Sequence, residues 1–121
     1  MYQSADICGV NPIAAMPFSP QGELDVPSFS RMLEHLATTG IQGLTLFGIA
    51  SEFPKLDDGE RLQLSNQFLS DLRGSGIFRA ISVTDHSTEV AVKRARDYQK
   101  RGADALMLLP PFFLQPSPEA I

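Results

Sequence analysis

The 121-residue sequence contains no tryptophan and only one cysteine, Cys8, and it has fewer basic than acidic residues. A single cysteine cannot form an internal disulfide bond, which excludes a small disulfide-stabilised domain. The first residues have neither the basic segment nor the long apolar segment of a secretory signal, so we expect a cytoplasmic protein. No histidine stands at a position that suggests a partner for Cys8, and we predict a small core residue rather than a nucleophile.

The sequence also lacks the features of a nucleic-acid or membrane protein. Its 10 Lys and Arg against 14 Asp and Glu give a formal net charge of −4. The basic residues are scattered, whereas nucleic acids and anionic membranes require a concentrated basic surface. No run approaches the roughly 20 apolar residues that cross a bilayer. His35 and His86 have no second ligand at metal spacing, so no metal site is predicted.

What the sequence does contain is an alternation of short apolar runs with longer amphipathic segments. This pattern is typical of successive βα units around a parallel sheet. We predict helices that begin after the capping residues Asp25, Asp57 and Ser87. Gly40 and Gly102 supply the left-handed residue that ends the first and third helices. The predicted strands lie within residues 7–18, 41–47, 78–83 and 105–109.

The last residues have the pattern of a helix that is beginning. Ser117 is a capping residue, Pro118 suits the first helical position and Glu119 is acidic in the first turn. Four parallel strands with three helices also leave two open sheet edges, which isolated proteins generally avoid. We therefore expect residues 1–121 to be part of a longer domain. A complete four-stranded, flavodoxin-like domain is the alternative architecture.

In such folds the reactive groups gather where the strands end, because the βα loops converge there. The segment after the second strand, Gly48-Ile49-Ala50-Ser51-Glu52, is a turn of small residues with exposed backbone N–H groups. Such a turn suits a carboxylate or a similar anion, although an ordinary turn would look the same. For Asp85-His86, after the third strand, we expect a turn that leads into the next helix rather than a ligand contact. Glu52 is expected to orient the turn.

Several motifs occur in a specific order along nearly the whole chain. They are Pro17-Phe18, Gly22 to Asp25, Gly48 to Glu52, Leu56, Glu60-Arg61, Ser87-Thr88 and Gly102 to Pro116. Each motif is common by itself, but their joint order and spacing resemble the dihydrodipicolinate synthase and N-acetylneuraminate lyase family. The resemblance implies an α/β fold, the N-terminal half of a (β/α)₈ TIM barrel with units one to three and the start of a fourth.

The resemblance also implies an activity. Members of that family are class I aldolases, in which a lysine on the sixth strand forms an imine with pyruvate or a related 2-keto acid. By this resemblance the intact protein is a lyase that condenses or cleaves a 2-keto acid and an aldehyde. It would use no metal or organic cofactor and would form a homodimer or homotetramer. The family's lysine is absent here, and we expect Lys55, Lys93 and Lys100 to be solvated, so no catalytic residue is predicted within this chain.

The sequence departs from the family at the substrate turn. In the family a G-T-T-G-E turn binds the carboxylate through a threonine hydroxyl and backbone amides, and its other threonine passes protons to tyrosines. Gly48, Ile49, Ala50 and Ser51 stand at these positions, so the donors left for substrate are backbone amides and the Ser51 hydroxyl. The second tyrosine of the family's P-Y-Y pattern, at a dimer contact beside the active site, is Phe113.

Two interpretations of these departures are open. The first is a divergent aldolase or dehydratase that uses another acid–base group and acts on a more apolar 2-keto acid. The second is a non-catalytic relative, or a half-barrel that serves as a binding or assembly module. Each lost hydroxyl removes both a donor and an acceptor, which favours burial over proton transfer.

Overall fold

The structure is a computed structural model, which describes residues 7–110, 117 and 119. Within these residues three helices alternate with three parallel strands in the spatial order β1-β2-β3. The elements are α1 (Val26–Ala37), β1 (Gly43–Leu46), α2 (Asp58–Asp71), β2 (Phe78–Ser82), α3 (Thr88–Lys100) and β3 (Ala105–Met107). The predicted α/β architecture is confirmed. The helix predicted to begin at Ser117 lies largely outside the described residues.

The first predicted strand pairs with β1 at one bridge and does not form a longer ladder. A parallel bridge joins Ile13 to Thr45. The Ala14 N–H donates to the Thr45 carbonyl at 2.8 Å, and the Thr45 N–H donates to the Pro12 carbonyl at 2.9 Å. Pro12 and Pro17 have no N–H to donate, which limits the pairing. Residues 7–18, the N-terminal segment, therefore occupy the strand position beside β1.

The helices pack against one face of this sheet. Their buried side chains form one core with the strand residues Leu44, Leu46 and Ile81; the helical members are Phe29, Leu33, Leu64, Phe68, Leu69 and Tyr98. A flavodoxin-like sheet has helices on both faces and a reversal of strand order. Neither feature occurs in the described part of the chain, so the flavodoxin-like alternative is wrong. Consecutive neighbouring strands under one helix layer are the arrangement of a barrel.

The predicted caps are present at all three helix starts. The Asp25 carboxylate accepts from the Ser28 N–H at 3.0 Å. Asp57 and Glu60 form a capping box, in which each carboxylate accepts from the other residue's N–H, at 2.8 and 2.9 Å. The Ser87 hydroxyl accepts from the Val90 N–H. These contacts fix where the loops after the strands end.

The prediction for Cys8 was wrong, because its side chain is exposed. Ile7 and Val10 are exposed as well. This part of the N-terminal segment precedes the Ile13 bridge at the edge of the sheet. Separately, no helix in the described ranges combines the length and the apolar character needed to cross a membrane.

Candidate active site

Strand β1 runs into a tight turn at the carboxyl edge of the sheet. Phe47 has a left-handed φ of 63°, residues Ile49–Ser51 form a single 3-10 turn, and Glu52 follows with a φ of 51°. Non-glycine residues are uncommon in the left-handed region, which costs them about 1–2 kcal/mol each. Such strain persists only where surrounding contacts hold it, and it concentrates at functional sites.

The contacts that hold Phe47 come from the helix layer. Side chains alternate along a strand, so regular geometry would place Phe47 on the same side as Thr45. The Phe47 ring is instead fully buried in the core. Its centroid lies 6.2 Å from that of Tyr98 and 5.5 Å from the guanidinium carbon of Arg61. Phe47 thus joins the turn to α2 and α3.

Arg61 holds the far end of the loop formed by residues 47–56. Its side chain is 8% exposed. Its Nε donates to the Leu56 carbonyl at 3.3 Å and its Nη2 donates to the Phe53 carbonyl, while its guanidinium carbon lies 5.6 Å from the Phe53 ring centroid. Burial lowers the pKa of Arg61, and the positive charge of Arg94 acts in the same direction. Arg61 therefore fastens the 47–56 loop to α2.

Ser51 uses its polar groups within the turn. Its fully buried hydroxyl donates to the Ala14 carbonyl at 2.6 Å and accepts from the Phe47 N–H at 3.1 Å. Its amide donates to the Gly48 carbonyl at 3.0 Å. Among the predicted substrate-binding residues, the amides without an acceptor in the described ranges are those of Gly48, Ile49 and Ala50. The role of these residues in binding substrate stays a prediction, and the structure limits their free donors to these amides.

Gly48 is required by the close approach of the N-terminal segment. A Cβ atom at Gly48 would lie 2.6 Å from Cδ1 and 2.8 Å from Cγ2 of Ile13. Ile13 is β-branched, so its side chain has few alternative rotamers. Its backbone is also held by the bridge to Thr45.

Gly48→Ala is therefore expected to lower the free energy of unfolding by about 1–3 kcal/mol, the usual cost of overpacking. Urea unfolding followed by circular dichroism measures the loss. Ile13→Ala removes both colliding atoms, so the double variant should lose less stability than the sum of the two single variants. Strict additivity would contradict the steric explanation.

A cavity of about 470 Å³ opens beside the turn, where β1 and β3 end. Its lining residues are apolar: Ile49, Phe53, Pro54, Leu109 and Pro110. The Ile49 side chain is 76% exposed. The position at which the family carries a hydroxyl therefore presents hydrocarbon to an apolar cavity.

Ser82 and Thr84 place two buried hydroxyls at the end of β2. No role was predicted for these hydroxyls from the sequence. The oxygens of Ser82 and Thr84 lie 2.8 Å apart, and the Leu109 N–H donates to Thr84 Oγ1 at 3.1 Å. Both side chains are buried. They join the carboxyl ends of β2 and β3 next to the residues that line the cavity.

The charged residues near the strand ends have structural partners. Asp85 accepts from the Ser87 N–H at 2.9 Å and from Arg94 Nη1 at 2.7 Å, as expected for a turn that leads into α3. Glu52 pairs with Lys55 at the surface. Neither carboxylate is left without a partner for catalysis in the described structure.

Phe113, predicted at a dimer contact, lies outside the described residues. Within residues 7–110, 117 and 119 no three His, Cys, Asp or Glu side chains come together in a group that could hold a metal ion.

Comparisons with known proteins agree with the motifs and the fold. The model of the dihydrodipicolinate synthetase family matches residues 6–121. The 4-hydroxy-tetrahydrodipicolinate synthase of Leuconostoc citreum is 30% identical over 111 residues, which cover 89% of this chain and 38% of that protein. The enzyme of the same name from Thermotoga neapolitana is 28% identical over 113 residues, covering 93% and 38%.

A solved structure gives the same result. Dihydrodipicolinate synthase from Rhodopseudomonas palustris matches with a TM-score of 0.81 at 28% identity, over 90% of this chain and 36% of that one. The structural matches confirm the predicted fold, the N-terminal part of a (β/α)₈ barrel. The chain spans a little over a third of the length of the relatives that it matches.

Proposed function

Because the chain belongs to the dihydrodipicolinate synthetase family, we propose that it is part of an aldolase- or synthase-type lyase acting on a pyruvate-like 2-keto acid. The second substrate would be an aldehyde. By the family resemblance alone, we also propose that the intact protein forms a homodimer or homotetramer in the cytoplasm. It would need no metal or organic cofactor.

The observation that carries the proposal is the turn after β1. The amides of Gly48, Ile49 and Ala50 have no acceptor among the described residues, and successive free amides in a turn form an anion-binding concavity. A substrate carboxylate would accept from them. The family's threonine hydroxyl is missing here, so the backbone would supply this contact alone.

The covalent step is assigned to a lysine outside these 121 residues. A protonated imine between that lysine and the keto carbon accepts electrons, so a bond at the neighbouring carbon is made or broken more easily. Nucleophilic lysines are activated by burial or by a nearby cation. Lys55, Lys93 and Lys100 are all exposed, and none of them is assigned this role.

The proposed 2-keto acid is more apolar than pyruvate. Ile49 stands directly beside the free amides and lines the apolar cavity of about 470 Å³. A carboxylate on the amides would leave the rest of the substrate facing Ile49, Leu109 and Pro110. A hydrocarbon substituent fits these surroundings better than a polar one, because burying an unpaired polar group is costly.

We expect the intact protein to gain the mass of one reduced imine after incubation with pyruvate and borohydride. Intact-mass spectrometry measures the adduct, a sample without keto acid is the control, and peptide mapping locates the lysine. A longer aliphatic 2-keto acid at the same concentration should give more adduct than pyruvate. An adduct on Lys55, Lys93 or Lys100 would contradict the assignment of the lysine.

The second candidate is a non-catalytic relative, or a half-barrel binding or assembly module. It is favoured by the apolar residues Ile49, Ala50 and Phe113, which stand where the family has the two threonine hydroxyls of its substrate turn and a tyrosine hydroxyl. Calorimetric binding of a 2-keto acid with no trapped adduct would support the non-catalytic relative. A protein that neither binds nor traps 2-keto acids would support the assembly module.

A further inference from the structure

The groove between α2 and α3 gathers basic side chains that are far apart in the sequence. Of the 10 basic residues in the chain, Arg61, Lys93, Arg94 and Arg101 line this cavity of about 350 Å³. It lies within the helix layer and is distinct from the cavity at the strand ends. We call it the α2–α3 groove.

Two acidic residues also line the α2–α3 groove, and both are already paired. Arg94 Nη2 donates to the Asp58 carboxylate at 3.1 Å, and Arg101 Nη2 donates to the Asp97 carboxylate. These pairs neutralise two of the four positive charges. The charges of Arg61 and Lys93 are left.

Arg61 is the unusual one of these two. Its guanidinium donates to carbonyl oxygens, and none of the ion pairs among the described residues includes it. Buried charges are normally paired with an opposite charge, because removing a charge from water is expensive. A buried guanidinium beside an open groove is therefore a place where an anion is stabilised.

Tyr98 is a second, independent feature that points to a ligand. It is 3% exposed and lines the α2–α3 groove, and its hydroxyl has no hydrogen-bond partner in the described part of the chain. Burial raises the pKa of Tyr98, while the positive charges of Arg61, Arg94 and Arg101 act against that rise. The guanidinium carbon of Arg101 lies 4.9 Å from the Tyr98 ring centroid. Among the described residues the Tyr98 hydroxyl is not one of the buried atoms without a partner, so it reaches the surface of the groove as an accessible donor. Nε of Arg101, which also lines the groove, is buried and has no hydrogen-bond partner within the described ranges.

We propose that the α2–α3 groove binds a small anion with phosphate or carboxylate groups. The Tyr98 hydroxyl and the Arg61 guanidinium are the inner donors, and Lys93 contributes from the rim. Hydrogen bonds between such donors and an anion are the strong, charge-assisted kind. A groove of about 350 Å³ has the size of a small-molecule site, and this selects a metabolite rather than a macromolecule.

Isothermal titration calorimetry of the purified protein with inorganic phosphate and with succinate tests the proposal, at an ionic strength held constant with chloride. Tyr98→Phe removes one oxygen and keeps the ring, and we expect about tenfold weaker binding. Lys93→Gln should weaken binding about threefold, as expected for an exposed charge. Lys100→Gln is the matched control, because this residue is exposed on the same helix but outside the groove, and it should leave binding unchanged.

The site is supported if either anion binds saturably and if Tyr98→Phe weakens binding more than Lys93→Gln does, while Lys100→Gln leaves binding unchanged. The absence of saturable binding for both anions overturns it. Equal weakening by Lys93→Gln and Lys100→Gln also overturns it, because that result indicates general charge attraction. Circular dichroism shows whether Tyr98→Phe is folded, and if it is not, the comparison of the two lysine variants decides.

Discussion

Replacing Phe47 by alanine is expected to lower the free energy of unfolding by about 3–5 kcal/mol, the usual cost of removing a buried phenyl ring. Replacing it by glycine should cost about 1 kcal/mol less than alanine does. The reason is the φ of 63° at this residue, which glycine adopts freely and alanine adopts only with strain. Urea unfolding of the three proteins measures both differences.

Phe68 is the matched control, because it is also fully buried but has a helical conformation, within α2 and one turn before its C-terminal end. At Phe68 the order should be reversed. Replacement by glycine should lower the free energy of unfolding by about 1 kcal/mol more than replacement by alanine, as in any helix interior. If glycine were the worse replacement at both positions, the left-handed conformation of Phe47 would not be a property of the folded protein.

Ser51→Ala is expected to lower the free energy of unfolding by about 2–4 kcal/mol. Its hydroxyl satisfies the buried N–H of Phe47 and the carbonyl of Ala14, and each buried polar group left without a partner costs about 1–3 kcal/mol. Thermal or urea unfolding measures the loss.

Ser70→Ala serves as the control for this substitution, since Ser70 is exposed on α2 and such changes stay within about 0.5 kcal/mol. If Ser51→Ala were as mild as Ser70→Ala, the structural role of the hydroxyl would be refuted. The Ser51 side chain would then again be a candidate for substrate binding.

The helix starts could be predicted because their causes are local. Asp57 and Glu60 satisfy each other's N–H groups within one turn, so four consecutive residues contain the whole signal. The alternation of apolar and amphipathic segments gave the parallel sheet for a similar reason. Each segment carries its own periodicity.

The turn after β1 could not be predicted in detail because its causes are distant. By pattern Phe47 continues a buried strand, and its left-handed φ is held by Tyr98 and Arg61 from two different helices. A signal for the burial of Arg61 was present, however. Arg61 lies three and seven residues before Leu64 and Phe68, on the apolar face of α2.

The cluster of basic side chains in the α2–α3 groove could not be predicted from the sequence for the same reason. The sequence correctly gives an acidic chain with dispersed basic residues. Only the packing of α2 beside α3 brings Arg61 within reach of Arg94 and Tyr98. Composition therefore gives the total charge of a chain, but it does not show where charged side chains cluster in the folded protein.

The hydrogen bond between Ser51 and Ala14 spans 37 positions of sequence. The turn that carries the free amides can therefore become fully ordered only after the N-terminal segment has docked beside β1. Forming such a non-local contact requires closing a long loop, which delays it during folding. The candidate carboxylate site should consequently be among the last parts of this chain to acquire protection from hydrogen exchange, and it should be lost together with the N-terminal segment.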